Sequence, residues 1–238
     1  MKKRIWMIPL VLIAVIVIGF IVYTAAYYPA ENVASSALLS DDTVKVKQVD
    51  TGWFFDGPSE DTALIFYPGA KVEETAYAPL LHQLAQNGMD VFLVKMPFRL
   101  ATLSPYRAEA VRKAYDYDKW YISGHSLGGC CAAMEAAKYP AEFDGIIFLA
   151  AYPDNDLGDD LDTLFIYGSE DTVLNHERYT AYKSNAPDTA QEYVIEGGNH
   201  AQFGSYGKQK NDGDADITPE EQIRQTVEQI TAFVEETA

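Results

Sequence analysis

Short apolar runs alternating with helical stretches constrain this chain more than any other feature. The runs are Ala63–Tyr67, Val91–Met96, Trp120–Ser123, Gly145–Ala151, Thr163–Tyr167 and Gln191–Ile195. Each is rich in β-branched or aromatic residues and bounded by Gly, Pro or Asp, as strands buried on both faces are. Between and after them lie helical stretches at Glu73–Gln86, Pro105–Tyr115, Leu127–Lys138 and His176–Ser184. A last helix is signalled by Thr218-Pro219-Glu220-Glu221, with an N-cap, Pro at the first helical position and Glu at the third. Such alternation predicts an α/β fold with a mostly parallel sheet and helices on both faces. Upstream, Thr43–Val49 alternates apolar and polar side chains like a half-exposed strand near a sheet edge, and Trp53–Phe55 follows as a second strand.

The 238 residues suffice for one sizeable domain. Acidic residues outnumber basic ones by 35 to 18, for a net charge of −17. Three of the basic residues are Lys2, Lys3 and Arg4, so the remainder is more acidic still. That balance excludes a nucleic-acid binder, which needs a basic surface. The two cysteines, Cys130 and Cys131, are adjacent, a spacing that strains a mutual disulfide, and they read as small buried residues. No metal-ligand spacing occurs. Asn211–Asp216 has the composition of a calcium loop but lacks the glutamate that would close it, Ile223 standing there instead. It reads as a polar loop.

Ile5 to Tyr23 is an uncharged apolar run behind the three basic residues, with the length of one transmembrane helix. The expected arrangement is a cytoplasmic N-terminus, a single pass and an extracytoplasmic body. The alternative is a signal peptide cleaved near Thr24-Ala25-Ala26. Residues 1–24 are thus an anchor or signal segment, 25–42 a linker and 43–238 the domain.

Gly124-His125-Ser126-Leu127-Gly128 stands between the expected strand Trp120–Ser123 and the helix Leu127–Lys138. In that context a G-x-S-x-G reads as a nucleophile elbow, a turn sharp enough to expose the serine hydroxyl and tight enough to need glycine two positions either side. Ser126 is the candidate nucleophile, and the N–H of Leu127 is the first candidate donor to a developing oxyanion.

With Tyr67-Pro68-Gly69-Ala70, the elbow, Tyr167–Asp171 and Gly197-Gly198-Asn199-His200, residues 62–236 resemble the α/β-hydrolase fold. The nearest likeness is to small lidless hydrolases related to dienelactone hydrolases and carboxylesterases. The resemblance implies the order nucleophile, acid, histidine. It places the acid at Asp171, with Glu170, Asp154 and Asp156 as alternatives. It points to Ala70 as the second oxyanion donor, with Lys71 as the alternative, because Tyr67-Pro68-Gly69 stands where many relatives have His-Gly.

A serine hydroxyl needs a base. Of the four histidines, His200 lies on a glycine-rich loop after the last strand and is the candidate base. His125 within the elbow and His82 on the first helix read as packing residues, and His176 opens a helix. Only Tyr152–Asp162 separates two successive strands, too little for a helical lid. The expected site is therefore open, with Phe98, Tyr152 and Phe203 near it. The expected activity is hydrolysis of small carboxylic esters through an acyl-enzyme, with no cofactor. An amidase or peptidase, a cell-envelope acyltransferase and a non-catalytic binding protein on the same fold are the alternatives.

Overall fold

The computed structural model describes residues 7–58 and 61–237. The strands are β1 (Lys45–Val49), β2 (Gly52–Asp56), β3 (Thr62–Tyr67), β4 (Asp90–Val94), β5 (Lys119–His125), β6 (Gly145–Leu149), β7 (Asp162–Gly168) and β8 (Gln191–Ile195). Among the described residues they form one sheet in the order β1-β2-β4-β3-β5-β6-β7-β8. β2 pairs antiparallel with β1 and β4, and every other neighbouring pair is parallel. The helices are α1 (Met7–Ala25), α2 (Asn32–Ala37), α3 (Ala78–Gln86), α4 (Ala108–Arg112), α5 (Leu127–Lys138), α6 (His176–Tyr182) and α7 (Pro219–Glu236).

Strand alternation divides the core between two faces. Leu64, Phe66 and Tyr121 face Leu80 and Leu84 of α3 and Ile223 and Ile230 of α7. Ile65, Ile122 and Phe148 face Val111 of α4 and Ala132 and Ala136 of α5. The expected doubly covered sheet is present. From β3 the chain moves to β4 on one side, then returns to β5 on the other. That reversal opens a crevice at the carboxyl ends of β3 and β5, where parallel sheets place their ligands.

Three local expectations change. The helix expected over Pro105–Tyr115 shrinks to α4. The strand expected to reach Met96 stops at Val94, because Pro97 removes a donor and Phe98 and Arg99 adopt left-handed φ of 53° and 60°. The segment read as a linker is pinned to the body. Tyr28 bridges Val72, Ala34 of α2 is buried, and Asp41 accepts from the Thr43 and Val44 amides and contacts His82 Nε2 at 2.9 Å.

The expected transmembrane helix is not supported as a span. Among the described residues no helix is long and apolar enough to cross a membrane. The expected run begins at Ile5, outside the described residues, and α1 takes up its part from Met7 onward. The surface of α1 is apolar on every side: Leu10, Val11, Leu12 and Ile13 are all exposed, and four successive residues cover a full turn.

Candidate active site

Ser126 sits between β5 and α5 with φ 53° and ψ −125°, a conformation costly for any residue but glycine. Two close approaches make the turn possible. A side chain on Gly124 would meet the Gly128 carbonyl carbon at 2.5 Å, and one on Gly128 would meet the Tyr67 carbonyl oxygen at 2.3 Å. The Ser126 amide donates to the Leu149 carbonyl at 2.9 Å, fixing the elbow to β6. Leu127 is the first residue of α5, so its N–H has no carbonyl to bond within the helix and points out at the positive end of the helix dipole.

His200 and Asp171 meet across the ends of β7 and β8. His200 Nδ1 lies 2.8 Å from Asp171 Oδ2, and the two residues are 1% and 2% exposed. Asp171 Oδ1 accepts from the Val173 and Leu174 amides at 2.9 and 2.8 Å, which holds the carboxylate in place. The other ring nitrogen, His200 Nε2, is buried and has no partner among the described residues. His200 and Ser126 line one cavity of about 210 Å³, with Leu127, Cys130, Tyr152 and Leu174 among its walls. Glu170 instead accepts from its neighbour Ser169, and His176 Nε2 contacts the Asp171 carbonyl at 2.9 Å.

After β3, the amides on both sides of Ala70 are engaged. Gly69 N–H donates to Tyr77 Oη at 3.0 Å, and Lys71 N–H donates to the Arg99 carbonyl at 2.9 Å. Lys71 has a left-handed φ of 59°.

Two supports escaped the sequence reading. Tyr77 is fully buried, and its hydroxyl lies 2.7 Å from His125 Nδ1. The same oxygen accepts from Gly69, and the direction of its bond to His125 Nδ1 follows the imidazole tautomer. The His125 ring packs 4.5 Å from that of His200. Burial, and then the neighbouring His200, hold His125 well below the usual imidazole pKa, so it stays neutral beside the candidate base. The second support is the polar loop before α7. Asp212 accepts from the Ala201 amide at 2.8 Å, while Gln222 pairs with the Asn199 backbone through its Oε1 and Nε2. Both clamp the loop carrying His200. No local pattern marks Tyr77, whereas the run of aspartates at 212–216 did mark a loop.

Of the expected neighbours, Tyr152 lines the cavity, Phe203 packs 5.6 Å from His125, and Phe98 stands exposed on the loop after β4. Cys130 is a cavity wall whose thiol burial pushes its pKa up to about 11. Residues 150–161, between β6 and β7, contain no helix.

The geometry can be set beside known proteins. No curated protein sequence matches. Among solved structures, a predicted CIB-like hydrolase from Thermoplasma acidophilum is 18% identical, with TM-score 0.56, covering 80% of this chain and 99% of that one. Dienelactone hydrolase from Anabaena variabilis is 11% identical, with TM-score 0.61 and coverage of 82% and 98%. Est1E from Butyrivibrio proteoclasticus is 14% identical, with TM-score 0.56 and coverage of 82% and 99%. At these identities the likeness is one of fold. The family model described as the alpha/beta hydrolase family matches residues 63–224, and the chain belongs to that family.

Proposed function

We propose that the protein is a serine hydrolase that cleaves carboxylic esters through an acyl-enzyme. One observation carries the reading: a buried Asp171–His200 pair leaves His200 Nε2 unpartnered in the cavity that Ser126 lines. Ser126 Oγ attacks the ester carbonyl as His200 Nε2 takes its proton, and Asp171 stabilises the imidazolium. The oxyanion is received by the amides of Leu127 and Ala70, the latter favoured over Lys71 because the Lys71 amide is engaged. Collapse expels the alcohol with the proton from His200. Water, activated by the same base, then releases the acid and restores Ser126. The residues supply the whole activation, so the mechanism needs no cofactor.

The cavity supports a short acyl group, since a cavity of ~150 Å³ already holds benzene and this one measures about 210 Å³. The exposed apolar surface of α1, behind Lys2, Lys3 and Arg4, supports attachment to a membrane.

A fluorophosphonate probe, with Ser126→Ala as control, tests the nucleophile; folded protein that takes no label speaks for a non-catalytic fold. A panel of esters and amides from acetyl to palmitoyl tests the substrate class. Turnover is expected on short esters, and rates climbing toward long acyl chains contradict the reading. Faster acyl release to an added alcohol than to water would make the enzyme a transferase.

A further inference from the structure

The apolar helix ends against the loops that follow β3 and β4. Phe20 packs on Phe98 with ring centroids 5.2 Å apart. The Lys71 ammonium lies 4.4 Å from the centre of the Tyr23 ring, and the Arg99 guanidinium lies 3.6 Å from that of Tyr27. Immediately beyond the helix, the Tyr28 amide donates to the Lys71 carbonyl at 2.7 Å, and the Glu73 amide donates to the Tyr28 carbonyl at 2.9 Å. Lys71 is the residue after Ala70. The end of α1 therefore lies roughly 10 Å from the proposed oxyanion donor, one residue plus one lysine side chain away.

The boundary between water and apolar surface is sharply drawn here. Leu10 to Tyr23 point outward, whereas Thr24 is buried and bonds back to the Phe20 and Ile21 carbonyls. Phe98 and Leu103, on the loop after β4, continue the exposed apolar surface onto the body. Two tyrosines carrying two cations at the end of an all-apolar helix have the composition of a bilayer interface. A helix apolar on every side has no polar face with which to remain in water.

We propose that the occupant of this surface is a lipid bilayer, and that the active site works at headgroup depth on esters resident in that bilayer. The substrate class is an amphiphile with a short acyl ester near its headgroup and an apolar anchor left in the membrane. The short acyl chain enters the cavity beside Leu127 and Leu174, while the alcohol portion leaves past Phe98 toward the lipid. The proposal needs the apolar end of α1 to enter the bilayer, not to cross it. It rests on the ester-hydrolase reading given above.

The test uses the full chain in phosphatidylcholine vesicles. One fluorogenic butyrate is offered in four ways: free in solution, on a long alkyl anchor in the enzyme's own vesicles, on that anchor in separate enzyme-free vesicles, and anchored but raised above the bilayer on a polyethylene glycol spacer. The expected initial rate on anchored ester is at least about tenfold higher in the enzyme's own vesicles than in separate ones, because attachment raises effective concentration. The headgroup-level ester is expected to outpace the raised one. Equal rates in the two kinds of vesicle overturn the proposal. So does faster cleavage of the raised ester, or cleavage of the free ester with both anchored forms spared, and in that last case the ester-hydrolase reading survives. Failure on the free ester together with no labelling of Ser126 removes the hydrolase reading itself, and the proposal falls with it.

Discussion

Replacing Tyr77 by Phe deletes one oxygen and leaves the ring in place. That oxygen accepts from Gly69 N–H at 3.0 Å and pairs with His125 Nδ1 at 2.7 Å, both in a fully buried setting. The substitution leaves the Gly69 N–H and His125 Nδ1 unpaired, each costing about 1–3 kcal/mol, so the unrelaxed loss is about 2–6 kcal/mol. The easiest relief is rotation of the Pro68–Gly69 peptide, which carries that N–H, toward another partner, and because Gly69 has no side chain to obstruct it the turn carries into the next peptide. Relief of that kind misdirects the Ala70 amide, and losing one oxyanion donor costs about 10²–10³ in kcat. The expected variant is less stable to urea by about 2 kcal/mol or more. Its kcat on a butyrate ester falls by about a hundredfold with KM little changed, because the donor acts on the transition state. A boronic acid that mimics the tetrahedral intermediate should lose affinity in proportion. Stability within about 0.5 kcal/mol of the parent, as for an inconsequential surface change, together with unchanged kcat, would refute the clamp. A rise in KM at constant kcat would place Tyr77 in ground-state binding instead.

Asp171→Asn should lower kcat by about 10⁴, since an amide no longer stabilises the imidazolium; a loss under tenfold would mean that another carboxylate serves His200. His125 is held neutral by burial, whereas in the unfolded chain it titrates near pH 6.5. Its contribution to stability is thus complete above about pH 6.5 and is lost as the pH falls toward the depressed folded value, at up to about 1.4 kcal/mol per pH unit. Urea unfolding of His125→Gln between pH 6.5 and 5 should show that much less slope, and parallel slopes would contradict the assignment. Glu135, wholly buried, lies 3.5 Å from Arg112. Arg112→Met should cost about 3–5 kcal/mol by stranding the carboxylate, and adding Glu135→Leu should recover much of it; additive losses in that double-mutant cycle would count against the pair.

The repeating elements were legible because burial on both sides of a parallel sheet forces continuous apolar runs, and because the elbow needs its glycines for steric reasons. His200 was legible as the one histidine on a glycine-rich loop after the last strand. Tyr77 was not, since a buried tyrosine with a hydroxyl partner 48 residues away has the same local pattern as one that only packs. Asp212 was visible as a loop residue, but its grip on the His200 loop depends on a return of the chain that no periodicity records. The contacts that segment 25–42 makes with the body escaped the sequence for a related reason. Small polar residues suggest slack, yet Tyr28 and Asp41 find partners far along the chain. α1 shows the reverse limit: its apolar character was plain in the sequence, while its docking on Lys71 and Arg99 was not.

Cys130, in the wall of the cavity, bears on the choice of chemical probes. With its pKa pushed up to about 11, only about one thiol in ten thousand is ionised at pH 7. Maleimides and iodoacetamide, which consume thiolate, should therefore react slowly with this cysteine at neutral pH although it borders the proposed nucleophile Ser126. A thiol-directed warhead placed in the cavity is likewise expected to react slowly with Cys130 at neutral pH, leaving the proposed nucleophile Ser126 and the unpartnered His200 Nε2 as the groups an electrophile would reach first.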